Sequence, residues 1–347
     1  MGGAWRAQET SLEEQLIFII SPPRAGSTLL NRMLGTHDDV YAPEEPHLLT
    51  PLAHLGYYEM VREAPYDPSI SQRGVRAFVE ALPGGEADYL DGLRAYTDTL
   101  YGRALAPTGA RFLLDKTPAY ALVLPFVAKL YPKAKFVVLT RHPMAIWSSV
   151  VESFFDGDHE AAHTHNPIIE RYVPAIARFL DTAPVPFCHV KYEELVQDPE
   201  AEMKRICEFV GLEFDPAIVD YGDRGGAKQS ARGLGDPMTV AKQSRPTTDS
   251  LAKWAVEMTG RPDKVAQCRD ILAALGDAEL ATWGHSRAAI GAELDAIDLE
   301  GKPSPPKATS RYTLERRLLV SVRRRVGDNA LGRFVRKVRE ACDILLR

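Results

Sequence analysis

An arginine, a glycine and two hydroxyls crowd into one short stretch: Arg24, Gly26, Ser27 and Thr28, in the run S-P-P-R-A-G-S-T at residues 21–28. Further along, Arg141 and Ser149 stand eight residues apart. A guanidinium is a permanent cation with a forked set of donors, and serine and threonine hydroxyls add to it. If a helix begins at Ser27, the backbone N–H groups from Ala25 to Thr28 point outward, with the helix dipole behind them. Gly26 lets that backbone come close to an anion. The chemistry is oxyanion binding. It is not that of a Walker A loop, which needs a lysine after its second glycine; here Ser27 follows Gly26. Phosphate-like oxygens are expected at the loop, without a standard ATP or GTP site. Two anion sites and no magnesium-binding loop point to a nucleotide phosphorylated at two places on its ribose.

These residues need elements to hold them. Residues 16–20 are a short apolar, β-branched run, which reads as a buried parallel strand. Leu29, Leu30, Met33 and Leu34 then recur at helical spacing. Residues 136–140 are a second such strand with Arg141 at its carboxyl end, and Pro143 opens a helix carrying Ser149. Residues 111–115 form another strand ending in Lys116, a movable point charge. Residues 122–131 read as a crossover helix, 167–180 as a helix, 185–190 as a strand with Tyr192 at its end, and 202–210 as an amphipathic helix. Helices alternating with apolar strands predict an α/β fold with a central parallel sheet and right-handed crossovers. In such sheets ligands bind beyond the carboxyl ends of the strands. The cluster Glu44-Glu45-Pro46-His47 falls soon after the first helix, at the expected end of the next strand, and offers a proton acceptor.

At this point the sequence resembles a known family. P-P-R-A-G-S-T-L-L is similar to the 5′-phosphosulfate loop of sulfotransferases that use 3′-phosphoadenosine 5′-phosphosulfate (PAPS), and R-H-P-x-x-x-x-x-S to their 3′-phosphate motif. L-D-K-T-P-A-Y, Y-E-E-L-V-Q-D-P, I-C-E-F-V-G-L and R-G-L-G-D-P extend the resemblance over about residues 16–256. It is strongest to bacterial sulfotransferases, including those of polyketide termination modules. It implies a P-loop-like three-layer αβα fold and transfer of a sulfuryl group from PAPS to a hydroxyl, releasing adenosine 3′,5′-bisphosphate (PAP), with no metal. Arg24, Lys116 and the backbone of Ala25, Gly26, Ser27 and Thr28 would stabilise the leaving phosphate. Arg141 and Ser149 would hold the 3′-phosphate, and Tyr192, Arg232 and Gly233 would complete the nucleotide site. Where the cytosolic animal branch has a catalytic histidine two residues after the lysine, this chain has Pro118. The base is therefore expected at Glu45, as in tyrosylprotein sulfotransferases, with His47 as alternative or helper.

The remaining sequence sets bounds. A length of 347 residues, 45% apolar and 26% charged, suits one large globular domain with an appendage. The N-terminus lacks the pattern of a signal peptide, and no apolar run nears the ~18 residues of a membrane span. Four widely spaced cysteines fit a reducing compartment, so the expected location is cytoplasmic. The expected boundaries are an N-terminal extension at 1–15, the catalytic domain at 16–299, a Pro/Ser-rich linker at 300–310 and a basic amphipathic helical tail at 311–347. That tail holds 11 Lys or Arg and 4 Asp or Glu in a chain of net charge −5. It is expected to dock on the acidic body or pair subunits in a homo-oligomer, with peripheral contact to an anionic membrane as the alternative; the acidic body argues against a nucleic-acid partner. Residues 50–110 read as helical and acceptor-facing, and 221–253 as a functional loop. The acceptor is expected to be a hydroxyl on a small molecule or a carrier-bound acyl chain. H-E-A-A-H at residues 159–163 matches a zinc-protease pattern, but its polar flanks read as a loop. The competing readings are a P-loop kinase or nucleotide hydrolase, and a non-catalytic nucleotide-binding scaffold.

Overall fold

Phe18 lies in the middle of strand β1 (Leu16–Ile20), where every residue is buried. The computed structural model describes residues 12–43, 45–46, 49–55, 57–58, 68–224 and 244–303. Among them β1 is joined by β2 (Val40–Tyr41), β3 (Phe112–Asp115), β4 (Lys135–Thr140) and β5 (Phe187–Lys191). The sheet order is β2-β3-β1-β4-β5 and all pairings are parallel. In register, Phe18 stands beside Asp115 of β3 and Phe136 of β4. Every strand therefore delivers its carboxyl end to the same edge.

The strand order dictates the layers. From β1 the chain passes over β3 to reach β2; from β3 it passes over β1, in the opposite direction, to reach β4. Right-handed crossovers in opposite directions lie on opposite faces. Helices Ser27–Gly35 and Pro199–Val210 pack on one face, and Glu86–Leu105 and Leu124–Leu130 on the other. The result is the three-layer αβα arrangement of a P-loop-like fold. On the second face the Phe18 ring meets Phe136 at 5.4 Å, Tyr131 at 5.9 Å and Tyr120 at 6.3 Å between centroids. Between β1 and β4 the connections part, one leading to each side of the sheet, which makes a topological switch point.

The chain divides into two compact units. One comprises the described residues of Met1–Ala53, Val79–Arg141 and Ala175–Thr248, including all five strands; the other those of His54–Phe78, His142–Pro174 and Asp249–Arg347. In the first, the Gly222 N–H donates to the Ser244 carbonyl at 3.1 Å, and a side chain at 222 would collide with Ser244. The second is helical. It holds Pro143–Phe154 and His159–His165, then Lys253–Met258, Pro262–Ala274, Asp277–Trp283 and Arg287–Asp295. Lys264 pairs with Glu152 at 2.6 Å, and Ser148 donates to Glu257 at 2.6 Å.

Three expectations change. The four helices between residues 253 and 295 lie where the sequence reading names none. The H-E-A-A-H segment is a short helix rather than a loop, because Asp158 caps it by accepting from the Ala161 N–H at 3.0 Å; its histidines pair separately, His163 with Glu170 and His159 with Asp263. The crossover at 122–131 is a 3₁₀ turn, Pro118–Leu122, followed by a short α-helix. The tail at 311–347 lies outside the described residues, as do most of the linker and the N-terminal extension. Among the described residues no helix is long and apolar enough to cross a membrane.

Because Phe18 ties three other rings together, Phe18→Ala is expected to lower the unfolding free energy by about 3–5 kcal/mol. Urea denaturation should show this as a lower midpoint with little change in slope.

Candidate active site

Between the end of β1 at Ile20 and the start of the first helix at Ser27 the chain turns sharply. Arg24 has φ 70° and Gly26 φ 100°, both left-handed. That conformation costs an L-residue about 1–2 kcal/mol, so Arg24 is held there by its surroundings. The Ala25 N–H closes the turn on the Pro22 carbonyl at 3.3 Å. The Gly26 carbonyl accepts from Leu29 and Leu30 at 2.9 and 3.2 Å and begins the helix. The Ser27 and Thr28 amides sit in a first turn, where no intrahelical acceptor exists and the dipole is positive. The Ser21 hydroxyl is buried with no hydrogen-bond partner.

Arg141, at the end of the neighbouring β4, reaches this turn. Its Nη1 donates to the Arg24 carbonyl at 3.0 Å, and its guanidinium lies 4.4 Å from the centroid of the Tyr192 ring. Tyr192 begins the helix after β5. Its ring edge occupies the space that a side chain at position 26 would need. Three strand ends thus converge: β1 brings the loop, β4 the cation, β5 the ring that seats both. Gly26 is required twice over, by its φ and by Tyr192.

On the other side of β1 the adjacent ends of β2 and β3 bring a second set together. Tyr41 pairs with Leu113 in register; Glu45 follows four residues after the one, Lys116 three after the other. Their side chains form an ion pair, with only 5% of Lys116 and 15% of Glu45 exposed. Asp115, next to Lys116, is wholly buried. Its carboxylate accepts from Tyr101 at 2.7 Å, Tyr120 at 2.9 Å and Thr117 at 2.9 Å. The Tyr120 oxygen in turn accepts from the Leu49 N–H at 2.9 Å. Burial first, then the Asp115 charge, holds both phenols well above their usual range, so both keep their protons at neutral pH. The ends of β3 and β4 lie two strand spacings apart, about 10 Å. Arg24, Arg141 and Lys116 therefore share one edge of the sheet, a cationic set suited to a polyanionic ligand.

The profile of the sulfotransferase family matches residues 16–216. The chain belongs to the sulfotransferase family. Among relatives, the nodulation protein NoeE of Sinorhizobium fredii is 29% identical over 269 residues, covering 70% of this chain and 61% of that protein. Protein-tyrosine sulfotransferase 1 of Danio rerio is 26% identical over 255 residues, covering 69% and 65%. The chain spans less than two thirds of the length of either. A solved sulfotransferase domain from the curacin biosynthetic pathway is 25% identical, covering 69% of this chain and 89% of that one with a TM-score of 0.48.

Seen as a sulfotransferase-family site, the arrangement brings together Arg24, Ala25, Gly26, Ser27, Thr28, Arg141 and Tyr192, and separately joins Glu45 to Lys116. Ser149 is half-buried on helix Pro143–Phe154, in the second unit. His47, Arg232 and Gly233 lie outside the described residues. Sequence reasoning missed Asp115, Tyr101 and Tyr120. Its signal was present in L-D-K-T-P-A-Y, which places an aspartate inside an apolar strand.

Gly26→Ala should lower stability by more than the left-handed backbone cost, since the new methyl meets the Tyr192 ring. In a Tyr192→Ala background the same change should cost only about 1–2 kcal/mol. A double-mutant cycle by chemical denaturation measures the difference.

Proposed function

We propose that this protein transfers a sulfuryl group from PAPS to an acceptor hydroxyl and releases PAP. The observation that carries this reading is the Arg141 guanidinium hydrogen-bonded to the Arg24 carbonyl. It sets a second cation beside the oxyanion loop at the switch point, which suits a nucleotide with phosphates at two places on its ribose, the 3′ and 5′ positions. The donor set fits such a ligand: two guanidiniums, first-turn amides, Ser27 and Thr28 hydroxyls, and an unpartnered Ser21 hydroxyl. PAPS, when bound, supplies an activated sulfuryl group on a phosphate leaving group.

The roles of the chain's own residues follow. Arg24, Lys116 and the amides of the loop donate to oxygens that gain charge as the sulfur–oxygen bond to the leaving phosphate breaks. Arg141 and Ser149 recognise the 3′-phosphate, with Arg232 and Gly233, and Tyr192 keeps Arg141 in place. Glu45 accepts the proton of the attacking hydroxyl, with His47 as its alternative or helper. Glu45 and Lys116 neutralise each other in the ion pair. An incoming polyanion draws Lys116 away, and the carboxylate is then available as a base. The acceptor is a small-molecule alcohol or phenol, or a hydroxyl on a carrier-bound acyl chain. Residues 50–110 shape its pocket, and the protein works in the cytoplasm.

The deciding assay incubates the protein with labelled PAPS, and separately with ATP and magnesium, over a panel of alcohols and phenols. Sulfated product with PAP release supports the proposal. ATP turnover would favour a kinase or hydrolase instead, and tight PAP binding without turnover a scaffold. Arg141→Ala should weaken PAP binding by about 1.5–3 kcal/mol and weaken adenosine 5′-phosphosulfate, which lacks the 3′-phosphate, by clearly less, the smaller loss reporting the loosened Arg24 turn; calorimetry with both ligands checks this, and equal losses would remove the 3′-phosphate role. Glu45→Gln keeps the shape but removes the proton acceptor, and should cost about 10²–10⁴ in kcat with PAP affinity nearly intact. Normal turnover in Glu45→Gln beside a dead His47→Ala would move the base to His47.

A further inference from the structure

Resting on the reading of Glu45 and Lys116 as reacting groups, we propose that the Tyr120 hydroxyl is the positioning group that fixes where Glu45 stands against Lys116. Tyr120 touches no reacting atom. Its oxygen bridges two pieces of chain that are 71 residues apart in sequence. Towards β3 it donates to Asp115 at 2.9 Å, and Asp115 is covalently next to Lys116. Towards the acidic segment it accepts from the Leu49 N–H at 2.9 Å, four residues beyond Glu45.

The chemistry of that bridge is specific. Leu49 opens helix Leu49–Ala53, so its amide is a first-turn donor with no acceptor in its own helix. Leu49 and Tyr120 are both fully buried, so water cannot replace the phenol oxygen. The phenol joins two groups that each do one thing: it donates to the Asp115 carboxylate, which only accepts when ionised, and it accepts from the Leu49 N–H, which only donates. Tyr101 donates to the same carboxylate oxygen and neighbours the Tyr120 hydroxyl, but it is not the acceptor of the Leu49 amide, so it completes the carboxylate without itself bonding the acidic segment. The two tyrosines separate the role of a satisfied Asp115 from the role of an anchored Glu45. The Tyr120 ring packs on Phe18 independently of the hydroxyl, at 6.3 Å between centroids, so phenylalanine at 120 keeps the core filled.

The test compares Tyr120→Phe with Tyr101→Phe in the full chain. Tyr120→Phe is expected to lower kcat about 10- to 100-fold through misplacement of the base. The KM for PAPS and the Kd for PAP should stay within about threefold of wild type. Amide hydrogen exchange in the peptide covering Leu49 should quicken about fivefold or more, the scale of one lost hydrogen bond. Tyr101→Phe should lower the melting temperature while leaving kcat and that peptide near wild type. Unchanged kcat or unchanged exchange in Tyr120→Phe overturns the proposal, and so do equal losses of kcat in both variants. If the wild type sulfates no acceptor, the proposed function fails on its own, and the exchange comparison still decides whether Tyr120 anchors the segment.

Discussion

A left-handed turn at Arg24 and Gly26, clamped from two sides, is the constraint on which the loop geometry depends. Left to itself, an arginine at φ 70° would relax. It is held because Arg141 bonds its carbonyl and the Tyr192 ring fills the space beside Gly26. Each clamp comes from a different strand, and each strand reaches the turn only because the sheet is parallel throughout. The same guanidinium that would bind an anion is already engaged in shaping the loop. Its face rests on Tyr192 and its edge on a carbonyl, an arrangement suited to arginine's planar fork and not to lysine.

The opposite side of β1 follows a different electrostatic logic. There a carboxylate and an ammonium are nearly removed from water, and burial of charge is tolerated only with partners close at hand. Lys116 has Glu45, while Asp115 has three hydroxyls. Removing one partner of such a pair leaves a buried charge exposed to its desolvation cost. The Asp115 hydroxyl network thus fixes the end of β3 from which Lys116 extends.

Much of this was legible in the residues, and the limit is physical. The strand–turn–helix at 16–35 is a local pattern, so apolar run, glycine and helical spacing suffice to read it. Arg141 and Lys116 were placed at strand ends correctly because a strand's end is also local. Contacts between distant segments were not legible: Arg141 and Arg24 are 117 residues apart, and Lys116 and Glu45 are 71. Lys116 was assigned to an incoming phosphate, and nothing local announced that Glu45 would hold it. Asp115 escapes a strand pattern that is read from apolar residues; Thr117 and Tyr120, which donate to it, follow within five residues, whereas Tyr101 comes from helix Glu86–Leu105. The helices between 253 and 295 did carry boundary signals, with Pro262 opening one and Ser286 capping another, but their short apolar faces show weak periodicity.

The hydrogen bond from Gly222 to the Ser244 carbonyl has a consequence for chain entropy. Where two points of a chain are bonded to each other, whatever joins them begins and ends at one place, and lengthening the join adds closure entropy only slowly. The closure cost of the Gly222–Ser244 bond therefore follows the logarithm of a separation of 22 residues, and doubling that separation would add only about 0.6 kcal/mol.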